Sequence, residues 1–144
     1  MPRNVYAEIF LHIVWHAKDG APLIGDGFRD ALYEFIGERC RKTEAVRCYA
    51  IGGTSNHVHL AVSVPPTLLV AEWIGQLKGS SSYHVNNEVG CAKALQWQTR
   101  YGVVSFGRKR LPFVVDYIQK QEQHHAAGKV HARLERIRTD EGIG

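Results

Sequence analysis

The chain has 144 residues, 44% of them hydrophobic and 22% charged, which suits one soluble globular domain over 1–144. Its net charge of +4 is compatible with a nucleic-acid partner without requiring one. No apolar run approaches the roughly 18 residues of a membrane span, no signal peptide is visible, and Cys40, Cys48 and Cys91 show no C-x-x-C spacing. We therefore expect a cytoplasmic protein whose cysteines are reduced and fill space rather than bind metal.

Val5 to Trp15 alternates. Val5, Ala7, Ile9, Leu11, Ile13 and Trp15 share one face and Tyr6, Glu8, Phe10, His12 and Val14 the other, which predicts a long strand. The Tyr6, Phe10 and Val14 face has no evident cover in one chain, so a homodimer is expected to supply it. Asp19-Gly20 and Pro22 mark a loop. Phe28, Ala31, Leu32, Phe35, Ile36 and Cys40 then recur at helical spacing. A second strand is expected over 46–51, with Gly52-Gly53 beginning a tight turn into a third strand over 57–64. Pro65-Pro66 ends that strand, and Thr67 is a suitable N-cap for a helix carrying Val70, Trp73, Ile74 and Leu77, weakened at Gly79. A fourth strand is expected over 97–106. Pro112 suits the first turn of a helix that holds Tyr117 and runs to about Ala127, and a basic segment from Lys129 to Arg138 follows.

This β-α-β-β-α-β order is the α+β, ferredoxin-like pattern: a four-stranded antiparallel sheet with two helices on one face, here with an added C-terminal helix. In the third strand Val58, Leu60, Val62 and Val64 point under the two helices. His57, His59, Ala61 and Ser63 point to the face those helices leave open, where the added helix is the natural lid.

Histidines at i and i+2 of a strand project side by side and can hold one metal. Tyr117 and Gln121 lie one helical turn apart, along a stripe distinct from the apolar Leu111, Val114, Val115 and Ile118. A phenol with a pKa of about 10 needs help to attack a phosphate. A divalent cation on His57 and His59, completed by Gln121, could give that help, and mixed N and O ligation suits Mg²⁺ or Mn²⁺. Two other chemistries of paired histidines lose ground. A histidine-triad hydrolase needs a third alternating histidine where Ala61 stands, and a two-histidine phosphodiesterase needs an H-x-[ST] motif that the chain lacks. Arg100, Arg108, Lys109 and Arg110 gather near the tyrosine helix and could follow a DNA backbone. Trp97, Tyr101 and Phe106 could stack bases, although core packing suits them as well.

The motifs, in this order and spacing, resemble the single-tyrosine HUH (His-hydrophobic-His) transposases of the IS200-like class, with their REP-associated relatives. The resemblance rests on Leu11 to Lys18, Gly52 to Leu60, Leu77 to Ser82, Trp97 to Gly102 and Tyr117 to His125. It implies metal ligation by His57, His59 and Gln121, and nucleophilic attack by Tyr117. It also implies cleavage of single-stranded DNA at hairpin-containing ends through a 5′-phosphotyrosine, and a homodimer. The competing expectation is a non-catalytic single-stranded nucleic-acid-binding module on the same scaffold, which would want aromatics on the central strands of the open face.

Overall fold

The computed structural model of the protein describes residues 5–89 and 95–137; Cys91 and Arg138 lie outside them. The strands are β1 (Phe10–His16), β2 (Arg47–Gly53), β3 (His57–Ser63) and β4 (Gly102–Phe106). The helices are α1 (Arg29–Arg41), α2 (Val70–His84), α3 (Leu111–Gln119), α4 (Gln121–Ala126) and α5 (Ala132–Glu135). All strand pairs are antiparallel in the order β2-β3-β1-β4, the expected ferredoxin-like sheet. Among the described residues no helix is long and apolar enough to cross a membrane.

The alternation sorts the two central strands as expected. Leu11, Ile13 and Trp15 of β1 and Val58, Leu60 and Val62 of β3 lie under α1 and α2. There they share one buried cluster with Leu32, Ile36 and Cys40 of α1 and Trp73, Ile74 and Leu77 of α2. Each large apolar side chain buried this way contributes about 1.5–3 kcal/mol, so this face carries most of the hydrophobic stabilisation. Cys40 and Cys48 are free thiols on this side.

Several boundaries differ from expectation for local reasons. β1 starts at Phe10 rather than Val5 because its partners end there: Phe10 pairs with Ser63 and Phe106, and Val64 N–H to Ile9 O is a last rung before Pro65-Pro66. β4 starts at Gly102, and Trp97 touches the sheet by a single bridge to Ala17. The carbonyls of Gln98 and Arg100 accept from Lys78 Nζ at 2.6 and 3.2 Å instead of from a strand. Thr67 does not cap α2, which begins at Val70 after Leu69 with no side-chain cap. Gly79 does not weaken the helix to its end; α2 runs on to His84, and Trp97 Nε1 donates to the buried Ser81 hydroxyl beyond it. The C-terminal helix breaks at Lys120, where φ −113° and ψ 30° separate α3 from α4.

Candidate active site

The second face of the sheet is covered from within the chain. Val114 and Ile118 of α3 pack on Ala50 and Ala61, and α5 packs on β1 and β4. Two glycines admit this cover. A Cβ on Gly52 would run into the Ile118 carbonyl oxygen, and one on Gly102 into that of Arg136. Gly52-Gly53 therefore does not begin the turn, as expected from sequence, but ends β2 where α3 comes closest; Thr54, Ser55 and Asn56 make the turn. Phe10 and Val14 are buried, Phe10 against Tyr49 and Phe106, while Tyr6 is exposed and bonds Glu8. The surface argument for a dimer thus loses its motive.

His57 and His59 point onto this second face, as the alternation requires, and α3 and α4 bring Tyr117 and Gln121 to them. His57 Nε2 lies 3.1 Å from Gln121 Oε1. It lies 3.7 Å from Glu135 Oε1, and His59 Nε2 lies 3.3 Å from that same oxygen. The Tyr117 hydroxyl donates to Glu135 Oε2 at 2.5 Å and accepts the His131 N–H at 2.8 Å. Its ring stacks on His124 at 4.9 Å and meets His59 edge-on at 6.1 Å. His125 Nε2 closes the group, 3.1 Å from Gln121 Oε1 and 3.5 Å from Glu135 Oε2.

The hydrogen-bond pattern says which of these atoms are bare. Asn56 Nδ2 donates to Gly20 O, which turns Asn56 Oδ1 toward His57 Nδ1 at 2.6 Å. The proton of His57 therefore sits on Nδ1, and Nε2 presents a lone pair to the site. Gln121 Nε2 donates to Tyr117 O at 3.1 Å, so Gln121 Oε1 also presents lone pairs there. Two acceptors facing each other at 3.1 Å are poorly matched unless a cation lies between them. Adjacent ligands about 2.1 Å from an octahedral cation sit roughly 3.0 Å apart, close to the separations found. His57, His59 and Glu135 each offer a ligand atom, all within 4.8 Å of one another, so the donor set fits a divalent metal.

Electrostatics agree with that donor set. Burial, then the neighbouring His59, pushes the His57 imidazole down to about 4, and burial also lowers His59, so both are neutral at pH 7. Burial works to raise Glu135, but the His59 imidazole 3.3 Å away, with the bond from Tyr117, brings it down to about 2. Burial and the bond to Glu135 push the Tyr117 phenol up to about 12. At rest His57 and His59 are neutral, Glu135 is a carboxylate and Tyr117 keeps its proton.

Glu135 and His12 went unrecognised in the sequence. Glu135 lies 18 residues beyond Tyr117 in a basic stretch with no readable period, and a break at Gly128 turns the chain back over the site. His12 was legible as a polar residue on the second face of β1, but its contact with His59 spans 47 residues of sequence. The basic residues stay at the surface. Arg100 and Lys109 are exposed; Arg108 pairs with Glu8 at 2.8 Å; and Arg110 lies over the Phe113 ring. Trp97, Tyr101 and Phe106 pack at the edges of the two apolar clusters. Among the described residues, the aromatic on the central strands of the second face, Phe10, is buried against Tyr49 and Phe106 rather than open as a binding module of the alternative kind would need.

Residues 5–121 match the family described as "Transposase IS200 like". The chain belongs to the IS200-like transposase family. The matched span holds His57, His59, Tyr117 and Gln121 and stops short of Glu135. Among solved structures, the transposase fold here is similar to that of a protein from Deinococcus radiodurans assigned as a transposase. The TM-score is 0.67 at 18% identity, over 84% of this chain and 96% of that one. It is also similar to a REP-associated tyrosine transposase bound to a REP hairpin, with a TM-score of 0.62 at 15% identity, over 90% of this chain and 75% of that one. At these identities the likeness is one of fold. No curated protein matches this transposase in sequence.

Proposed function

We propose that this transposase cuts and rejoins single-stranded DNA, with the Tyr117 oxygen as nucleophile. Family membership supports the transposase role, and one observation carries the chemistry: the Tyr117 hydroxyl, the His57 and His59 imidazoles and the Glu135 carboxylate converge on one buried spot. In the cleavage step the Tyr117 O–P bond forms and the P–O3′ bond breaks, leaving a 5′-phosphotyrosine and a 3′ oxygen that takes a proton from water. Glu135 Oε2, already bonded to the phenol, is the atom next to its proton. A phenol near 12 beside a carboxylate near 2 keeps that proton at rest, so it leaves only as the O–P bond forms. A divalent cation, Mg²⁺ or Mn²⁺, held by His57, His59 and Glu135 with Gln121, would polarise the phosphate and offset the developing charge. His124 stacking and the His131 N–H hold the ring in place for attack.

The substrate in this reading is hairpin-containing single-stranded DNA, contacted by Arg100, Lys109 and their neighbours. Tyr117 meets His57, His59 and Glu135 within its own chain, which supports attack in cis, and in this reading the homodimer the family resemblance implies would carry two complete sites. The test is incubation with labelled hairpin DNA and Mn²⁺, followed by a denaturing gel. A covalent adduct that disappears with EDTA and in Tyr117→Phe is expected; an adduct mapped to Tyr101 or Tyr83 would refute the assignment.

A further inference from the structure

His12 is a buried histidine on β1 for which the proposed reaction has no use. It is 1% exposed, and its Nε2 lies 2.8 Å from His59 Nδ1 in a bond between two buried side chains. The register explains the meeting. Val14 pairs with His59 and His12 with Ala61, so His12 and His59 are diagonal neighbours on the second face, with ring centroids 4.9 Å apart.

We propose that His12 is a positioning residue: it accepts the Nδ1 proton of His59 and so keeps His59 Nε2 bare toward the cation. The inference rests on the metal reading above. The same device is already built for the other imidazole, because Asn56 Oδ1 stands behind His57 Nδ1 at 2.6 Å. Each ligand is thus gripped from behind at Nδ1, and such outer partners set both ring orientation and tautomer.

The competing tautomer explains why a grip is needed. Glu135 Oε1 is 3.3 Å from His59 Nε2 and invites a proton onto that nitrogen, where the proton would stand in the cation's place. An apolar side chain at position 12 would fill the space but leave His59 Nδ1 without an acceptor, and the Glu135 side would win. His12 Nε2 accepts because its own proton can sit on Nδ1. Glutamine carries an acceptor at nearly the same reach, whereas leucine does not.

The test uses the full chain as wild type, His12→Gln and His12→Leu. One readout is the NMR coupling between ¹⁵N-labelled His12 Nε2 and His59 Nδ1 across their hydrogen bond in metal-free wild type. The other is Mn²⁺ affinity by electron paramagnetic resonance. We expect the coupling to be present, Mn²⁺ affinity to fall about 10–100-fold in His12→Leu, and affinity close to wild type in His12→Gln. No coupling, wild-type affinity in His12→Leu, or His12→Gln no better than His12→Leu would overturn the inference. If His12→Leu does not fold, the coupling and the His12→Gln affinity decide. A wild type that binds no Mn²⁺ would instead overturn the metal reading beneath it, which separates the two failures.

Discussion

The two faces of the sheet are built from the same strands on opposite terms. Under α1 and α2, every inward side chain of β1 and β3 is apolar, and the layer is closed by large aliphatic and aromatic residues. On the other face, four residues, Ala50, Ala61, Val114 and Ile118, form a small apolar seam. Beside it lies a buried polar pocket of His12, His57, His59, Gln121 and Tyr117, closed by the partly buried Glu135. The first face supplies stability, and the second spends part of it to hold polar groups away from water, where each needs a partner. One sheet can do both because side chains alternate, so a strand may be core on one side and site on the other.

The sharpest way to break that division is at Tyr117. Tyr117→Phe should abolish cleavage and the 5′-linked adduct on the gel, while removing two hydrogen bonds costs only about 1–3 kcal/mol in urea unfolding. Mixing Tyr117→Phe with His57→Ala protein should restore no cleavage if the proposed nucleophile and ligands act within one chain; recovered cutting would show exchange between subunits.

The next effect separates the faces directly. Leu60→Ala, under the helices, should cost about 2–5 kcal/mol in urea unfolding and leave Mn²⁺ affinity intact in the folded fraction. His59→Ala, one residue earlier and on the other face, should lose Mn²⁺ binding. Matching losses of stability and metal from both variants would erase the distinction.

Glu135→Gln removes a charge without changing shape. We expect weaker Mn²⁺ binding, by about tenfold or more, measured by titration calorimetry. The sign of the Tyr117 shift follows too: the Glu135 carboxylate helps raise the phenol, so the variant should bring it down from about 12 in a difference ultraviolet titration. An unchanged phenol would place the cause in burial alone.

The smallest effects belong to the exposed basic residues. Lys109→Ala should lower the salt dependence of hairpin binding by about one phosphate contact, with stability changed by less than about 0.5 kcal/mol. Arg108→Ala should do less to binding, since Glu8 already holds that guanidinium. Salt slopes from fluorescence anisotropy would rank the two.

The sequence alone determined the sheet, its helix-covered face and the direction of His57 and His59, because a period of two leaves a strand no other way to bury Val58, Leu60 and Val62. It also brought Tyr117 and Gln121 together by their spacing of four residues, and they stay together although the helix breaks between them at Lys120, because Gln121 Nε2 donates to Tyr117 O. What ends each element was decided by tertiary contact: Lys78 takes the carbonyls that would have lengthened β4, and Pro65-Pro66 strips β1 of its partner. The same holds for the rest of the site. Glu135 reaches Tyr117 only because Gly102 lets residues near 136 lie against β1 and β4, and His12 meets His59 only through strand register. Periodicity is a local property and can be read along the chain. The meeting of side chains 47 or 78 residues apart, as for His12 with His59 and Glu135 with His57, depends on how the layers stack, and only the folded chain decides that.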